Sequence, residues 1–94
     1  MSPDNVILFS PTNKIGAAIR DARIRRRVPL EYLADQLHVA ISTVSRIETG
    51  KTQTINLALV AELSRLLKSP KILRLAVVQI QKSFPELPGE DAAV

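Results

Sequence analysis

The sequence predicts an all-α fold, a compact bundle of about five helices, and three observations predict it. Glycine is scarce, with only Gly16, Gly50 and Gly89 present. Apolar residues recur three and four positions apart, as one face of a helix requires. Residues suited to helix starts and stops sit at the ends of those apolar runs. The 94 residues suffice for one compact domain with modest tails and not for two.

Helix one is expected from about Thr12 to Arg26, where Ile15, Ala18, Ile19 and Ala22 form one stripe. Thr12 is available as its N-cap, and basic residues fill its last turn, where they oppose the helix dipole. Helix two begins at Pro29, whose missing N–H is not needed in a first turn, and buries Leu30, Leu33, Ala34 and Leu37. After a break at His38 and Val39, a short helix three carries Val44 and Ile47 inward and stops at Gly50. Asn56 is a good N-cap for helix four, which has one stripe through Leu57, Val60, Ala61, Ser64 and Leu67 and a second through Leu59, Leu63 and Leu66, so that it is apolar on two sides. Ser69 and Pro70 form a cap and first-position pair for a fifth element. Its β-branched run at Val77, Val78 and Ile80 leaves helix and strand both open, with helix favoured. The chain thus divides into an N-terminal arm (1–11), a helical body (12–68), a fifth helix or strand (69–84) and an acidic tail (85–94) expected to be disordered.

Composition narrows the function. There is no cysteine and a single histidine, His38, so disulfides, thiolate chemistry and a metal cluster are not expected. No apolar run approaches the ~20 residues that cross a bilayer, and the N-terminal segment lacks the basic and apolar regions of a signal peptide. A soluble, cytoplasmic protein is expected, with no membrane partner. The net charge is +4, yet Lys14 to Lys82 holds all thirteen basic residues against five acidic ones, a body charge of +8. Such a body suits a polyanion. Phe9, Tyr32 and Phe84 are too few for the stacking platform of single-strand binders, which favours duplex DNA.

Helices two and three, joined by a tight turn, can hold the outer face of the second in the roughly 12 Å wide major groove. Leu33, Ala34, Leu37, Val39, Val44 and Ile47 form the inner set of this pair, with Ala34 small where helices cross closely. Ile41, Ser42, Ser45 and Arg46 are left outside. Arginine can donate two bonds to guanine, serine can bond either base class, and isoleucine can touch a thymine methyl, so these four are the candidate base readers. Arg25, Arg26 and Arg27, at the entrance to helix two, are candidate phosphate contacts or a solvated charge run.

The stretch RDARIRRRVPLEYLADQLHVAISTVSRIETGK resembles the phage-repressor (Cro/XRE) helix-turn-helix family, whose fold is that of the lambda-repressor DNA-binding domain. The resemblance spans about Ile15 to Leu67 and rests on Arg23, Leu33, Ala34, Val39, Val44, Ile47, Glu48 and Gly50. It implies that Arg23 and Glu48 form a structural ion pair, that Ile41, Ser42 and Arg46 read bases, with Ser45 beside them, and that Thr49, Lys51, Thr52 and the loop to Asn56 contact phosphate. Thr43 joins the phosphate-contacting candidates. The sequence departs from the pattern at Pro29, Leu30 and Ala40, where the family often has polar caps and a phosphate-binding glutamine. His38 stands where the family prefers glycine, at a position that often needs positive φ.

A single module reads too few bases for a specific site, so a homodimer on half-sites about 34 to 36 Å apart is expected. Helix four and the segment from Ile72 to Phe84 are its candidate interface, unless the fifth element packs back on its own core. A repressor on a palindromic operator is the leading expectation. The alternative is an antitoxin with a toxin-kinase partner, because Ser10 to Thr12 resembles a feature of HipB-type antitoxins, which carry a dimerising strand after the helices. No enzyme and no cofactor are expected, since there is no phosphate-cradling glycine loop and no close carboxylate pair in the body.

Overall fold

The structure, a computed structural model, describes residues 7–83. Five helices occupy them: α1 (Asn13–Arg25), α2 (Leu30–Leu37), α3 (Ile41–Thr49), α4 (Leu57–Leu66) and α5 (Pro70–Ser83). The all-α bundle that the apolar spacing predicts is therefore present, and the chain adds one feature to it. Leu8–Phe9 (β1) and Ile55–Asn56 (β2) pair antiparallel, with Leu8 opposite Asn56 and Phe9 opposite Ile55. Strands of two residues are too short for alternation to register as a pattern. The expected acidic tail, 85–94, lies outside the described residues, as does most of the arm.

The open choice for the fifth element resolves as helix. Ile72, Ala76 and Ile80 are buried at intervals of four, so one stripe packs on the core and outweighs the weak helix propensity of Val77 and Val78. The same core takes Ile15 and Ile19 from α1, Leu33 from α2, Val44 and Ile47 from α3, and Val60 and Leu63 from α4, each at most 1% exposed. Burying each such side chain contributes about 1.5 to 3 kcal/mol. Phe9 and Ile55, partners across the strand pair, close this core from the arm side at 3% and 4% exposure.

Four helices stop alike. After α1, α2, α3 and α4 a residue at positive φ is followed by a backbone N–H that reaches back five residues, Val28 to the Arg23 carbonyl, Val39 to Ala34, Lys51 to Arg46 and Ser69 to Ser64, all at 2.9 to 3.0 Å. The positive-φ residues are Arg27 (56°), His38 (57°), Gly50 (75°) and Lys68 (50°). Only glycine adopts this backbone freely, and a side chain there costs on the order of 1 kcal/mol. His38→Gly is therefore expected to raise the unfolding free energy by about 1 kcal/mol, read from the shift of the urea midpoint at unchanged slope.

Helix starts are less well furnished. Asn56 Oδ1 accepts the Ala58 N–H at 2.8 Å, whereas Thr12, Pro29 and Ala40 occupy cap positions without a side-chain bond. Thr12 thus holds the expected position but not the expected bond, and Pro29 is the cap of α2 rather than its first helical residue. The buried hydroxyl of Ser64 donates to the Ser69 carbonyl at 2.7 Å and helps close the end of α4.

Candidate nucleic-acid interface

The α2–α3 pair is held by its inner set and by a tight turn. His38 and Ala40 are exposed while Val39 is half-buried, so the turn tucks one apolar side chain under the pair. Leu33 and Ala34 from α2 meet Val44 and Ile47 from α3 in the core. This packing leaves Ile41, Ser42 and Arg46 exposed on α3, with Ser45 half-buried beside them. Ile41, the first residue of α3, keeps 46% of its surface exposed.

What fixes α3 is its contact with α1. Gly16 is buried where α1 crosses α3, and a Cβ placed there would run into the carbonyl oxygens of Ile47 and Glu48, the second at 2.7 Å. Absence of a side chain lets the two backbones touch. A few residues on, Arg23 Nε donates to Glu48 Oε2 at 2.6 Å and Arg23 Nη2 to Glu48 Oε1 at 3.1 Å. Its remaining nitrogen, Nη1, donates to the Val28 carbonyl at 3.1 Å. One guanidinium thereby joins α1, α3 and the link into α2. With side chains 17% and 5% exposed, the pair is shielded from water, which strengthens its two parallel bonds.

Downstream of α3, Arg46 and Thr43 share a shallow hollow of about 450 Å³ with Lys51, Thr52, Gln53 and Thr54. The candidate base reader Arg46 and the candidate phosphate contacts Thr43, Lys51 and Thr52 therefore stand on one continuous surface. Gln53 and Thr54, from the loop to Asn56 that the resemblance assigns to phosphate, join them. Thr49 is differently placed: its hydroxyl donates within its own helix, toward the carbonyls of Ser45 at 3.1 Å and Arg46 at 3.3 Å. In that arrangement it turns only lone pairs outward, and a phosphate oxygen needs a donor.

Two of the three arginines of the run, Arg25 and Arg26, line a different hollow. Arg27 forms the positive-φ stop of α1, Arg25 Nε donates to the Asp21 carbonyl at 3.4 Å, and Arg26 Nη2 donates to the Lys68 carbonyl at 3.4 Å. Arg25 and Arg26 line a second hollow with Lys68, Lys71 and Arg74, which shares no residue with the one around Arg46. Arg65 is committed elsewhere, to Glu62 at 2.7 Å. Its hydrogen bond holds the Glu62 carboxyl below the usual value against the opposing effect of desolvation, and Glu62 raises the guanidinium in return.

The helix-turn-helix domain family matches residues 14–77, from the first turn of α1 into the second half of α5. The chain belongs to the helix-turn-helix domain family. No curated protein and no solved structure matches it. In a helix-turn-helix domain the second helix of the motif is the one offered to the groove, and here that is α3 with its exposed Ile41, Ser42 and Arg46. Family membership supports a DNA-binding regulator. Among the described residues no cluster of His, Cys, Asp and Glu could hold a metal ion, and no helix is long and apolar enough to cross a membrane.

Proposed function

We propose that the protein is a sequence-specific regulator of transcription of the Cro/XRE type, a repressor that binds a palindromic operator in duplex DNA as a homodimer. The observation that carries this reading is the exposure of Ile41, Ser42 and Arg46 on α3, with Arg46 sharing one hollow with Lys51 and the half-buried Thr52. The three α3 residues have the donors and the methyl-bearing side chain that base edges require, and Lys51 and Thr52 have the cation and hydroxyl that a phosphate strand requires. Arg23 and Glu48 hold α3 in place without being available to DNA.

The dimer is supported by a second feature. Ile7, Leu57, Ala58, Ala61, Leu73 and Val77 line an almost wholly apolar hollow of about 400 Å³ between the arm, α4 and α5. One face of α5 packs back on its own core, and the other, through Leu73 and Val77, is left for a second copy. The antitoxin alternative is less well supported, because Val77 to Ile80, where a HipB-type antitoxin has its dimerising strand, is helical.

Selection of bound duplexes from a random pool, followed by sizing of the complex, tests the reading. A palindromic consensus on a complex with two copies is expected, and recovery of no consensus would refute it. Arg46→Ala should cost ~1 to 3 kcal/mol at that operator and relax one base preference, whereas Lys51→Ala should weaken all duplexes alike and flatten the salt dependence. Equal losses on random DNA for both variants would remove Arg46 from base reading.

A further inference from the structure

Among the described residues, five cations gather away from the α3 surface. Arg25 and Arg26 at the end of α1, Lys68 after α4, and Lys71 and Arg74 at the start of α5 surround one hollow of about 500 Å³. All five are exposed, and no ion pair joins any of them to a carboxylate among the described residues. The α3 surface, by comparison, brings two cations into its hollow, Arg46 and Lys51. Like charges gathered without counter-charges raise the local potential and concentrate anionic ligands.

The floor and the margins of this hollow say which anion. Ala22 and Leu67 line its base. An adjoining hollow of about 440 Å³ shares Arg25, Ser69 and Lys71 with it and extends along α1 past Ala18 and Ile24. Together they make a trough with a cationic rim and with Ala18 and Ile24 as its accessible apolar surface, in which Asp21 is the single carboxylate. Ile24 is 53% exposed at one margin. Val78, 48% exposed, follows Arg74 by four residues and Lys71 by seven, and so stands on the same stripe of α5. A duplex presents a convex, evenly charged backbone that would use neither the concavity nor the exposed side chains of Ile24 and Val78. An extended peptide alternating carboxylates with aliphatic side chains would use all of them.

We infer that the α1–α5 trough is a protein-docking surface for an acidic, aliphatic-rich segment of a partner, separate from the DNA-reading surface. Carboxylates of the partner pair with Arg25, Arg26, Lys71 and Arg74, and its aliphatic side chains cover Ala18, Ile24 and Val78. The inference does not depend on the operator reading, because it uses no residue of α3 or of the loop that follows it.

The test uses the full-length protein and a fluorescein-labelled peptide in which glutamate and aspartate alternate with leucine, followed by fluorescence anisotropy. Binding is expected, with a loss of about tenfold or more in the Lys71→Glu/Arg74→Glu protein and a similar loss in Ile24→Ser, while Arg46→Ala leaves it unchanged. All of these positions are exposed, and a thermal melt of each variant checks that the fold is retained. A peptide with serine in place of leucine should bind at least about tenfold more weakly. Equal binding of the serine peptide would overturn the proposal in favour of simple charge attraction. Loss of affinity for a random-sequence duplex in the Lys71→Glu/Arg74→Glu protein matching its loss of peptide would also overturn it, by making the trough a contact for DNA backbone.

Discussion

Replacing Gly16 with alanine is expected to lower stability by about 3 kcal/mol, a large effect for the addition of one methyl group. The cost arises because the obstructing atoms are the backbone carbonyl oxygens of Ile47 and Glu48, which cannot rotate away as a side chain could. To admit the methyl, α1 and α3 must separate, and the separation would also stretch the Arg23–Glu48 bonds, since they bridge the same two helices. For a domain of this size the loss corresponds to a fall in Tm of roughly 12 to 24 °C. Thermal denaturation followed by circular dichroism reads it directly, and an unchanged Tm would show that the helices do not touch there.

The second large effect belongs to Glu48. Glu48→Ala should cost about 3 kcal/mol, because it strands the Arg23 guanidinium, 17% exposed, with only the Val28 carbonyl as an acceptor. Most of that cost is the penalty of an uncompensated charge rather than the worth of the pair. It follows that Arg23→Met combined with Glu48→Ala should be less destabilised than the two single losses added together, by about 1 kcal/mol or more in a double-mutant cycle. Strict additivity would mean that the two side chains act independently. Urea unfolding of the four proteins of the cycle supplies the numbers.

How much of this could be read in advance differs from residue to residue, for physical reasons. The helices were legible because burial imposes a period, and Leu33, Ala34, Val44 and Ile47 kept it without exception. Their arrangement, an α2–α3 pair with Ile41, Ser42 and Arg46 outward, follows from the same period. Gly16 was not legible: a glycine inside a helix looks like a weakness until the second backbone, at Ile47 and Glu48, is placed against it. Arg27 and Lys68 were equally hidden, since long basic side chains carry no local mark of the positive φ they adopt. His38 was more open, because the position resembles one where a family prefers glycine. The placing of Arg25 and Arg26 beside Lys68, Lys71 and Arg74 depends on a contact between the ends of α1 and α4, which no pattern along the chain encodes.

The strand pair bears on where this domain is held to begin. The family match opens at Lys14, yet β1 lies before it, and Phe9 fills the core as completely as many residues inside the matched span. Leu57 N–H reaches back to the Ile7 carbonyl at 2.8 Å, so the arm fastens the chain at the threshold of α4. The loop from Lys51 to Thr54 is consequently anchored at both of its ends, by the glycine stop of α3 and by β2. A protein trimmed to its family boundary would keep every residue assigned to DNA and still lose one of the two anchors. It would meet DNA with a slack loop, and part of the binding free energy would go into ordering it.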